Sequence, residues 1–490
     1  MKNTFLSTAA CLVWLSVLIS FVHNTFVTVQ NGHWVWIDGN NTANSPSSVK
    51  VKKTGDKEFP GARHGVTAWK DENNRVWMFG GKGYGVNEPK AIKSLDELWN
   101  FDPLKKKWAL VNKTVASNKS WPSSCVDCVS CSHKDITVLF GGVVTRKKSL
   151  NFKTWVLNLT LKSWVVLEQS SPPAREKSTY WCDNKEGFLW LYGGLYSIKD
   201  FNDMWQFNFQ NMNWTQITPL KNTPTPTARF GSSSWLQHPD KLYLFGGQSV
   251  LGSMSDLWIY RPSQRTWEFV KGKKKPLQKG VYGNQGIPGN LSLPGCREEA
   301  LSWTDSKGHL WLFGGRGCDA HTSNASNTGL LSDLWMFNTS SASWSWISGP
   351  SKKNEKAVYG KKGVPDPKNM PGPREDSLTF RQGGNLWIFG GIGQDKNERP
   401  GLLNDMWVYS IPTTPTLGPP SHGKGLPGDT FDMPYSQRLM IAFGILTAAM
   451  VISILVCYRK ECNLMYWRYK KKVPRVKYEP LKVKMQVPDV

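Results

Sequence analysis

The chain has 490 residues, of which 39% are apolar, 12% aromatic and 20% charged, and it contains 25 Trp, 44 Gly and 30 Pro. This apolar content supports a large hydrophobic core and excludes an intrinsically disordered chain. Enrichment in Gly, Pro and aromatic residues argues against a helical protein and favours many short strands joined by turns. The 61 Lys and Arg outnumber the 37 Asp and Glu, which gives a net charge of +24.

The amino terminus is typical of a secretory signal peptide. Met1 and Lys2 form a short basic start, and residues 6–29 are largely apolar. This order predicts a signal segment over residues 1–29 that is removed from the mature chain. An uncleaved signal anchor is the alternative, because no small-x-small cleavage site stands out in the sequence.

An apolar strand followed by Gly-Gly recurs six times between residues 33 and 410. Downstream of each Gly pair comes a strand with a Trp, and in the first five copies a second Trp follows nine residues later. Five copies also begin with an Arg. Each copy is therefore predicted to form four short strands, a to d, and a repeat of about 50 residues with four strands is typical of a propeller blade. The Gly pairs are Gly80-Gly81, Gly141-Gly142, Gly193-Gly194, Gly246-Gly247, Gly314-Gly315 and Gly390-Gly391.

These motifs resemble kelch repeats, and the resemblance covers about residues 33–410. The stretch VYGNQGIPGNLSLPGCREEALSWTDSKGHLWLFGG carries the pattern most fully, and VYGKKGVPDPKNMPGPREDSLTF repeats its first part. The resemblance implies an all-β, six-bladed kelch-type propeller that acts through interaction rather than catalysis.

The sixth copy lacks strand d, because it ends after Trp407 and runs into a Pro/Gly-rich stretch. The segment HWVWIDG at residues 33–39 looks like strand d of the fifth copy, SWSWISG at residues 343–349. We expect residues 33–38 to pair with the sixth blade and close the ring, which leaves no unpaired first or last edge.

The same five copies that begin with an Arg also carry an acid two residues before the strand-c Trp. The second copy has neither, since Cys131-Ser132-His133 stands at the strand start and Lys153 at the acid position. This joint loss predicts buried Arg–carboxylate bridges between strands a and c. A ring of catalytic or ligand-binding arginines is the alternative. The predicted pairs are Arg63 with Glu97, Arg175 with Asp203, Arg229 with Asp256, Arg297 with Asp333, and Arg374 with Asp405.

Six cysteines lie in the part of the chain that is predicted to face an oxidising compartment, where disulfides form. Cys125, Cys128 and Cys131 could suggest a metal site, but no second pair at zinc spacing accompanies them. Disulfides are therefore favoured, and no metal or cofactor is predicted. Cys296 with Cys318 is a plausible pair, and Cys182 is expected to join one of the three clustered cysteines.

In a four-stranded meander the b–c loops and the d–a crossings emerge on one face, and here both kinds are long and basic. The sequence predicts a positive rim that binds an anionic glycan or a protein. A solvated charged surface is the alternative, and nucleic acid is not expected as a partner. The candidate ligand-binding residues are Lys50, Lys52, Lys53, Arg146, Lys147, Lys148, Lys273, Lys274, Lys275 and Arg316.

Residues 439–458 contain no charge, and at about 1.5 Å per residue such a helix spans roughly 30 Å, the thickness of a bilayer core. A buried core helix is the alternative. The tail 459–490 carries ten Lys or Arg and three acids, and positive residues stay on the cytoplasmic side. The prediction is a type I single-pass protein with the propeller outside and a Pro/Gly-rich linker over residues 411–436.

Two further features concern the compartments on either side of the predicted span. Tyr478 and Leu481 fit a tyrosine-based sorting signal that would recruit a cytoplasmic adaptor, although such short patterns are common by chance. N-x-[ST] glycosylation acceptors precede the span and none follows it. They are Asn40, Asn112, Asn118, Asn158, Asn213, Asn290, Asn324 and Asn338.

Together these features predict a receptor or adhesion protein of the cell surface or an internal membrane, with an extracellular or lumenal propeller. The alternative is a secretory-pathway propeller enzyme, an oxidase or a glycan-active hydrolase. The eight His form no spaced pair suited to a metal, and no Gly-x-Ser-x-Gly motif is evident. A cluster of ionisable groups that breaks the six-fold pattern at one pocket would favour the enzyme.

Overall fold

The computed structural model describes residues 32–48, 58–113, 121–144, 149–150, 153–168, 171–323 and 327–411. The chain divides into two compact units, Met1–Pro419 and Pro420–Val490, and every described residue belongs to the first unit. The predicted signal segment, most of the linker, the membrane span, the tail and the sorting residues Tyr478 and Leu481 lie outside the described residues. Over the described ranges, no helix has the length and apolar character that crossing a membrane requires.

The described secondary-structure elements are all β-strands, so the all-β prediction is confirmed. Most of them form six antiparallel sheets of four strands each, with neighbouring strands in the order a, b, c, d.

Sheet one consists of Arg63–Lys70, Val76–Gly83, Leu98–Asp102 and Lys107–Leu110. Sheet two consists of Val129–His133, Ile136–Phe140, Thr154–Asn158 and Ser163–Leu167. Sheet three consists of Thr179–Asp183, Phe188–Tyr192, Met204–Asn208 and Asn213–Ile217. Sheet four consists of Ser233–Gln237, Lys241–Phe245, Leu257–Arg261 and Thr266–Lys271. Sheet five consists of Leu301–Thr304, Leu310–Phe313, Leu334–Asn338 and Ser343–Ser348. Sheet six consists of Leu378–Gln382, Asn385–Gln394, Pro400–Ser410 and, as its fourth strand, Trp34–Asp38.

Short strands extend the b–c connections and the starts of strands a. Lys93–Ser94 pairs with strand b of sheet one. Two-stranded hairpins form in the b–c connections of sheets two, three and four, and a three-stranded element lies beside sheet five. These strands are Val143–Val144 with Ser149–Leu150, Leu195–Tyr196 with Lys199–Asp200, Gln248–Ser249 with Gly252–Ser253, the set Arg297–Glu298, Arg316–Gly317 and Gly329–Leu330, and Arg374–Glu375, which pairs with strand b of sheet six.

The six sheets stack in a closed ring. Each strand a contacts strand a of the next sheet, and strand a of sheet six contacts Arg63–Lys70 of sheet one. The hydrophobic core lies between neighbouring sheets; one cluster joins Val35, Phe389 and Met406 of sheet six to Met78 and Trp99 of sheet one. A sheet that is packed on both faces needs apolar side chains on both, which explains the unbroken apolar runs in strands b.

The amino-terminal strand supplies the missing outer strand of sheet six. Trp34–Asp38 pairs antiparallel with Pro400–Ser410, with Val35 opposite Val408 and Trp36 opposite Trp407. Trp34 and Val35 are buried, and the Trp34 ring contacts Phe313 of sheet five at a centroid distance of 5.2 Å. Chain segments more than 360 residues apart therefore complete one sheet.

The Gly pair after strand b allows a close approach to the next sheet. Gly314 and Gly315 have φ angles of 64° and 90°. A Cβ atom on Gly314 would lie 2.8 Å from the carbonyl oxygen of Arg374, which is closer than real Cβ contacts. The Gly315 N–H donates to that same oxygen at 2.8 Å. Glycine is thus needed here both for the left-handed backbone and for the space.

The described residues form three disulfides. Cys131 pairs with Cys182, and this bond joins strand a of sheet two to strand a of sheet three. Cys296 pairs with Cys318, and Cys125 pairs with Cys128. Of the three partners that the sequence left open for Cys182, the structure therefore has Cys131.

Candidate functional site

Each sheet except sheet two contains a buried bridge between an Arg at the start of strand a and an acid before strand c. The five N–O distances are 2.6–2.8 Å, and all five Arg side chains have no exposed surface. Each guanidinium also donates to the carbonyl of the first Gly of its pair. Burial opposes ionisation of Glu97, but Arg63 and the hydrogen bonds from Trp99 and the Val86 backbone together outweigh it and lower the pKa of that carboxyl. These arginines hold strands together and offer no surface to a ligand.

The register of sheet two corrects one sequence alignment. The Gly81 N–H donates to the carbonyl of Cys125 at 2.7 Å, just as Gly142 N–H donates to that of Arg175 at 2.8 Å. Cys125 therefore occupies the Arg position, whereas Cys131 lies further along, inside strand a. The sequence alignment placed Cys131-Ser132-His133 at this position, which the hydrogen-bond register shows to be wrong. A disulfide, Cys125–Cys128, thus stands where the other sheets have the bridge.

The predicted ligand-binding Lys and Arg residues differ in what the structure describes of them. Lys50, Lys52, Lys53, Arg146, Lys147 and Lys148 lie outside the described residues. Lys273, Lys274 and Lys275 are exposed on the d–a segment between sheets four and five, and the Lys274 ammonium lies 4.9 Å from the Phe269 ring centroid. Arg316 instead forms an ion pair with Glu375 at 2.8 Å. Its charge is therefore already matched within the protein.

The start of each strand a contributes one residue to a ring around the central axis, which we call the axial ring. Each member lies two residues after the Arg position and has a φ angle of 53–64°. The backbone N–H of each of five members donates to the carbonyl of the preceding member at 2.8–3.3 Å. The members are Gly65, Asp127, Lys177, Gly231, Glu299 and Asp376. These residues lie at one end of the ring of sheets, where five of the six, all but Gly65, line a central cavity of about 330 Å³.

The axial ring is chemically uneven although its backbone repeats. Lys177 forms an ion pair with Glu299 at 3.0 Å. His64 Nδ1 lies 2.7 Å from Asp376 Oδ2, and Asp127 completes a group whose ligand atoms all lie within 4.8 Å of one another. His64, Asp127 and Asp376 could therefore hold a divalent cation together.

Burial and the neighbouring charges shift the pKa values of these groups. Burial, followed by the neighbouring Asp376 and Glu299 carboxylates, raises the pKa of Asp127 well above its usual range. Burial and Glu299 likewise raise the pKa of Asp376, while burial lowers the pKa of His64. The Glu299 carboxylate raises the pKa of Lys177, so this lysine stays charged.

Three further acids extend the acidic character outward from the axial ring. Burial and the adjacent Glu299 raise the pKa of Glu298 to about 7, and burial raises the pKa of Glu176. Glu375 is held by Arg316. We use the name axial mouth for the end of the central cavity that the axial ring lines, together with these three acids beside it. Sequence analysis predicted a positive rim on this face and missed the acidic centre.

Two apolar hairpins rise beside the axial mouth. Leu195 bridges to Glu176, the neighbour of Lys177, and Gln248 bridges to Phe230, the neighbour of Gly231. The tips carry Tyr196, Ile198, Val250 and Leu251, all at least half exposed, with Ile198 98% and Val250 89% exposed. Burial raises the pKa of Asp200, and the backbone of Val250 lies close enough to this carboxylate to oppose the rise in part, so the two hairpins are neighbours. Adjacent exposed apolar side chains of this kind mark interaction surfaces.

The glycosylation acceptors that the structure describes all reach the surface to some degree. Asn40, Asn112 and Asn290 are exposed, and Asn158, Asn213 and Asn338 are half-buried. Asn118 and Asn324 lie outside the described residues. Their modification stays a prediction.

The chain is similar to the KLHDC2/KLHL20/DRC7 Kelch-repeats domain over residues 35–233 and 85–285. It is 24% identical over 225 residues to the dynein alpha chain of the flagellar outer arm of Chlamydomonas reinhardtii, a match that covers 44% of this chain and 5% of that protein. It is 25% identical over 301 residues to a leucine-zipper-like transcriptional regulator 1 homolog of Drosophila melanogaster, covering 59% and 27%. It is 21% identical over 371 residues to the Kelch domain-containing protein 10 of Xenopus laevis, covering 74% and 78%. This chain thus spans about a twentieth and about a quarter of the first two proteins.

Proposed function

Because this chain belongs to the kelch-repeat family, we propose that it is a protein-binding propeller whose six four-stranded sheets are six blades. The partner is held on the face that carries the axial mouth and the two apolar hairpins. The observation that carries this proposal is the pair of exposed tips, Ile198 and Val250, beside a cavity on a rigid ring. Loops that are held by a rigid scaffold are common sites of recognition.

We further propose that the propeller faces the outside of the cell or a lumen and that residues 439–458 anchor the chain in the membrane. Tyr478 and Leu481 would then form a sorting signal that a cytoplasmic adaptor binds. The predicted signal segment, the basic tail and the position of the glycosylation acceptors support this topology. Three disulfides also suit an oxidising compartment. Two experiments on the full-length protein in cells test this topology: glycosidase digestion, and protease treatment before and after selective permeabilisation of the plasma membrane. A chain that carries no N-glycans, and whose propeller is cleaved only when the protease reaches the cytosol, would refute it.

The binding face is tested by photo-crosslinking from single positions of the full-length chain in cells. A photoreactive residue in place of Ile198 or Val250 should give crosslinked protein partners. The control is Leu161, which is also apolar and is 66% exposed but lies in the c–d turn of sheet two, at the opposite end of the sheet. Crosslinks that are as abundant from Leu161 as from Ile198 would contradict the proposal.

An anionic glycan bound by the lysine-rich outer segments remains a second candidate. The exposed Lys273, Lys274 and Lys275 favour it. If it holds, heparin retention of the full-length chain should fall when these three residues are changed to Ser and should persist after changes at the hairpin tips.

The enzyme alternative rests on one specific observation. His64, Asp127 and Asp376 form an ionisable cluster that breaks the six-fold pattern at a cavity, which is the feature that the sequence analysis set as favouring an enzyme. Buried carboxyls with raised pKa values are frequent in active sites. Turnover of glycan substrates that is abolished by Asp127→Asn would establish this alternative.

A further inference from the structure

The axial mouth holds more acidic than basic groups. Six carboxyl groups lie there or directly beside it, those of Asp127, Glu176, Glu298, Glu299, Glu375 and Asp376. Against them stand Lys177 and Arg316, each already paired with a carboxylate at 2.8–3.0 Å, together with Lys82 nearby. The deficit of positive charge is concentrated at Asp127 and Asp376, since no lysine or arginine of the described residues forms an ion pair with either; the basic group that contacts Asp376 is His64, at 2.7 Å.

We propose that the axial mouth binds a Lys or Arg side chain of a partner segment whose neighbouring apolar residues pack on the tips of the two hairpins. This inference rests on the proposed protein-binding function and specifies the chemistry of the partner. This proposal differs from the positive-rim prediction in the charge of the partner. The axial mouth would bind a basic partner, whereas the positive rim would bind an acidic one.

Size and shape limit what can enter. A cavity of about 330 Å³ accepts one long side chain but not a folded domain. An amine or guanidinium placed between Asp127 and Asp376 would lie beside two carboxyls whose charged forms repel each other, and its positive charge would favour ionisation of both. Low solvent access at the mouth strengthens such an ion pair.

The exposed hairpin tips favour a peptide over a metal ion as the ligand of the axial mouth. A bare divalent cation would use His64, Asp127 and Asp376 and would leave Ile198, Val250 and Leu251 unexplained. A peptide uses both features at once, because Leu195 bridges to Glu176 and Gln248 to Phe230, so the hairpins start at residues adjacent to the axial ring. Apolar contacts then supply affinity, and the buried ion pair supplies specificity.

The test is peptide selection from a random 12-residue display library on the full-length chain. Parallel selections use the variants Asp127→Asn with Asp376→Asn, and Ile198→Ser with Val250→Ser. Asn suits positions 127 and 376, because it tolerates the left-handed backbone found there. The matched control changes Glu186 to Gln and Leu161 to Ser, both exposed and both at the opposite end of the sheets. All variants are first required to have a urea midpoint no lower than that of the native chain; if the double Asn variant does not, Asp376→Asn alone replaces it.

Selected peptides should be enriched in Lys or Arg next to Leu, Ile, Phe or Tyr. Their affinity should fall at least about tenfold in the Asn variant and in the Ser variant, and should be unchanged in the control. Peptides without a basic residue, or basic peptides that bind the Asn variant equally well, would overturn the inference. If such peptides still require the hairpin tips, the proposed function stands while this inference fails. Failure to select any peptide, with tight Mn²⁺ binding that the Asn variant loses, would also overturn it and would identify a metal site.

Discussion

The bridge between Arg297 and Asp333 gives the sharpest test of how the sheets are held together. Both side chains are completely buried, and two N–H groups of the guanidinium donate to the carboxylate at 2.8 and 2.9 Å. Asp333 also accepts from Trp335 Nε1 and from the Tyr282 hydroxyl, each at 2.6 Å. Arg297 further donates to the Gly314 carbonyl at 2.9 Å. The bridge is therefore the centre of a buried polar network.

Replacing one partner leaves an unmatched buried charge. Arg297→Met leaves the Asp333 carboxylate without a cation, and Asp333→Asn leaves the buried guanidinium without a carboxylate, with only the neutral Asn amide oxygen and backbone carbonyls as acceptors. Each single change should lower the free energy of unfolding by about 3–5 kcal/mol. The double change removes both charges, and the Asn amide oxygen can still accept a hydrogen bond from Trp335. Its cost should therefore be smaller than the sum of the single costs by at least about 2 kcal/mol.

The assay is urea unfolding of the full-length chain with its disulfides intact, followed by tryptophan fluorescence. The control cycle uses Arg261 and Glu268, an ion pair of the same 2.8 Å length that is partly exposed on sheet four. Single changes there should cost about 0–1 kcal/mol. Single changes at Arg297 and Asp333 that cost no more than the control, or costs that simply add in the double variant, would refute the buried-bridge reasoning.

Three other changes test the electrostatics, the ring closure and the disulfides. Burial raises the pKa of Glu298 to about 7, so between about pH 4.5 and 7 the folded chain keeps a proton that the unfolded chain has released. The free energy of unfolding therefore falls as the pH rises through this range. In urea titrations, Glu298→Gln should raise the free energy of unfolding by about 1–3 kcal/mol at pH 8 and leave it unchanged at pH 4. An equal effect at both pH values would contradict the assignment. Deleting residues 33–38 exposes the outer edge of sheet six and should sharply lower the melting temperature; unchanged melting would rule out the closing strand. Changing Cys131 and Cys182 to Ser removes a link across 51 residues and should cost about 2–4 kcal/mol, whereas an unchanged urea midpoint would show that the link does not stabilise the ring.

The repeat itself could be predicted from the sequence, because each sheet is built from consecutive residues. The spacing of Gly pairs and Trp residues follows from strands that neighbour each other along the chain. The joint presence of Arg and acid in five copies identified pairs that the structure places at 2.6–2.8 Å. The similarity of residues 33–39 to a fourth strand indicated a partner for Pro400–Ser410, where Trp34–Asp38 now lies.

The axial mouth could not be predicted in the same way, because its members come from different repeats. Asp127 and Asp376 are 249 positions apart and meet only when the ring closes. The axial ring lies two residues after the Arg position in each copy, but the second copy has Cys125 in place of that Arg, so the sequence pattern does not identify Asp127 as a member.

Short-range pattern determined which residues form each sheet, because hydrogen bonding and side-chain alternation act between near neighbours in the chain. The circular arrangement of those sheets decided which charges face one another, since strand starts from distant repeats converge on one axis. The sequence therefore contained the scaffold and its internal bridges, whereas the acidic centre of the binding face exists only in the closed ring.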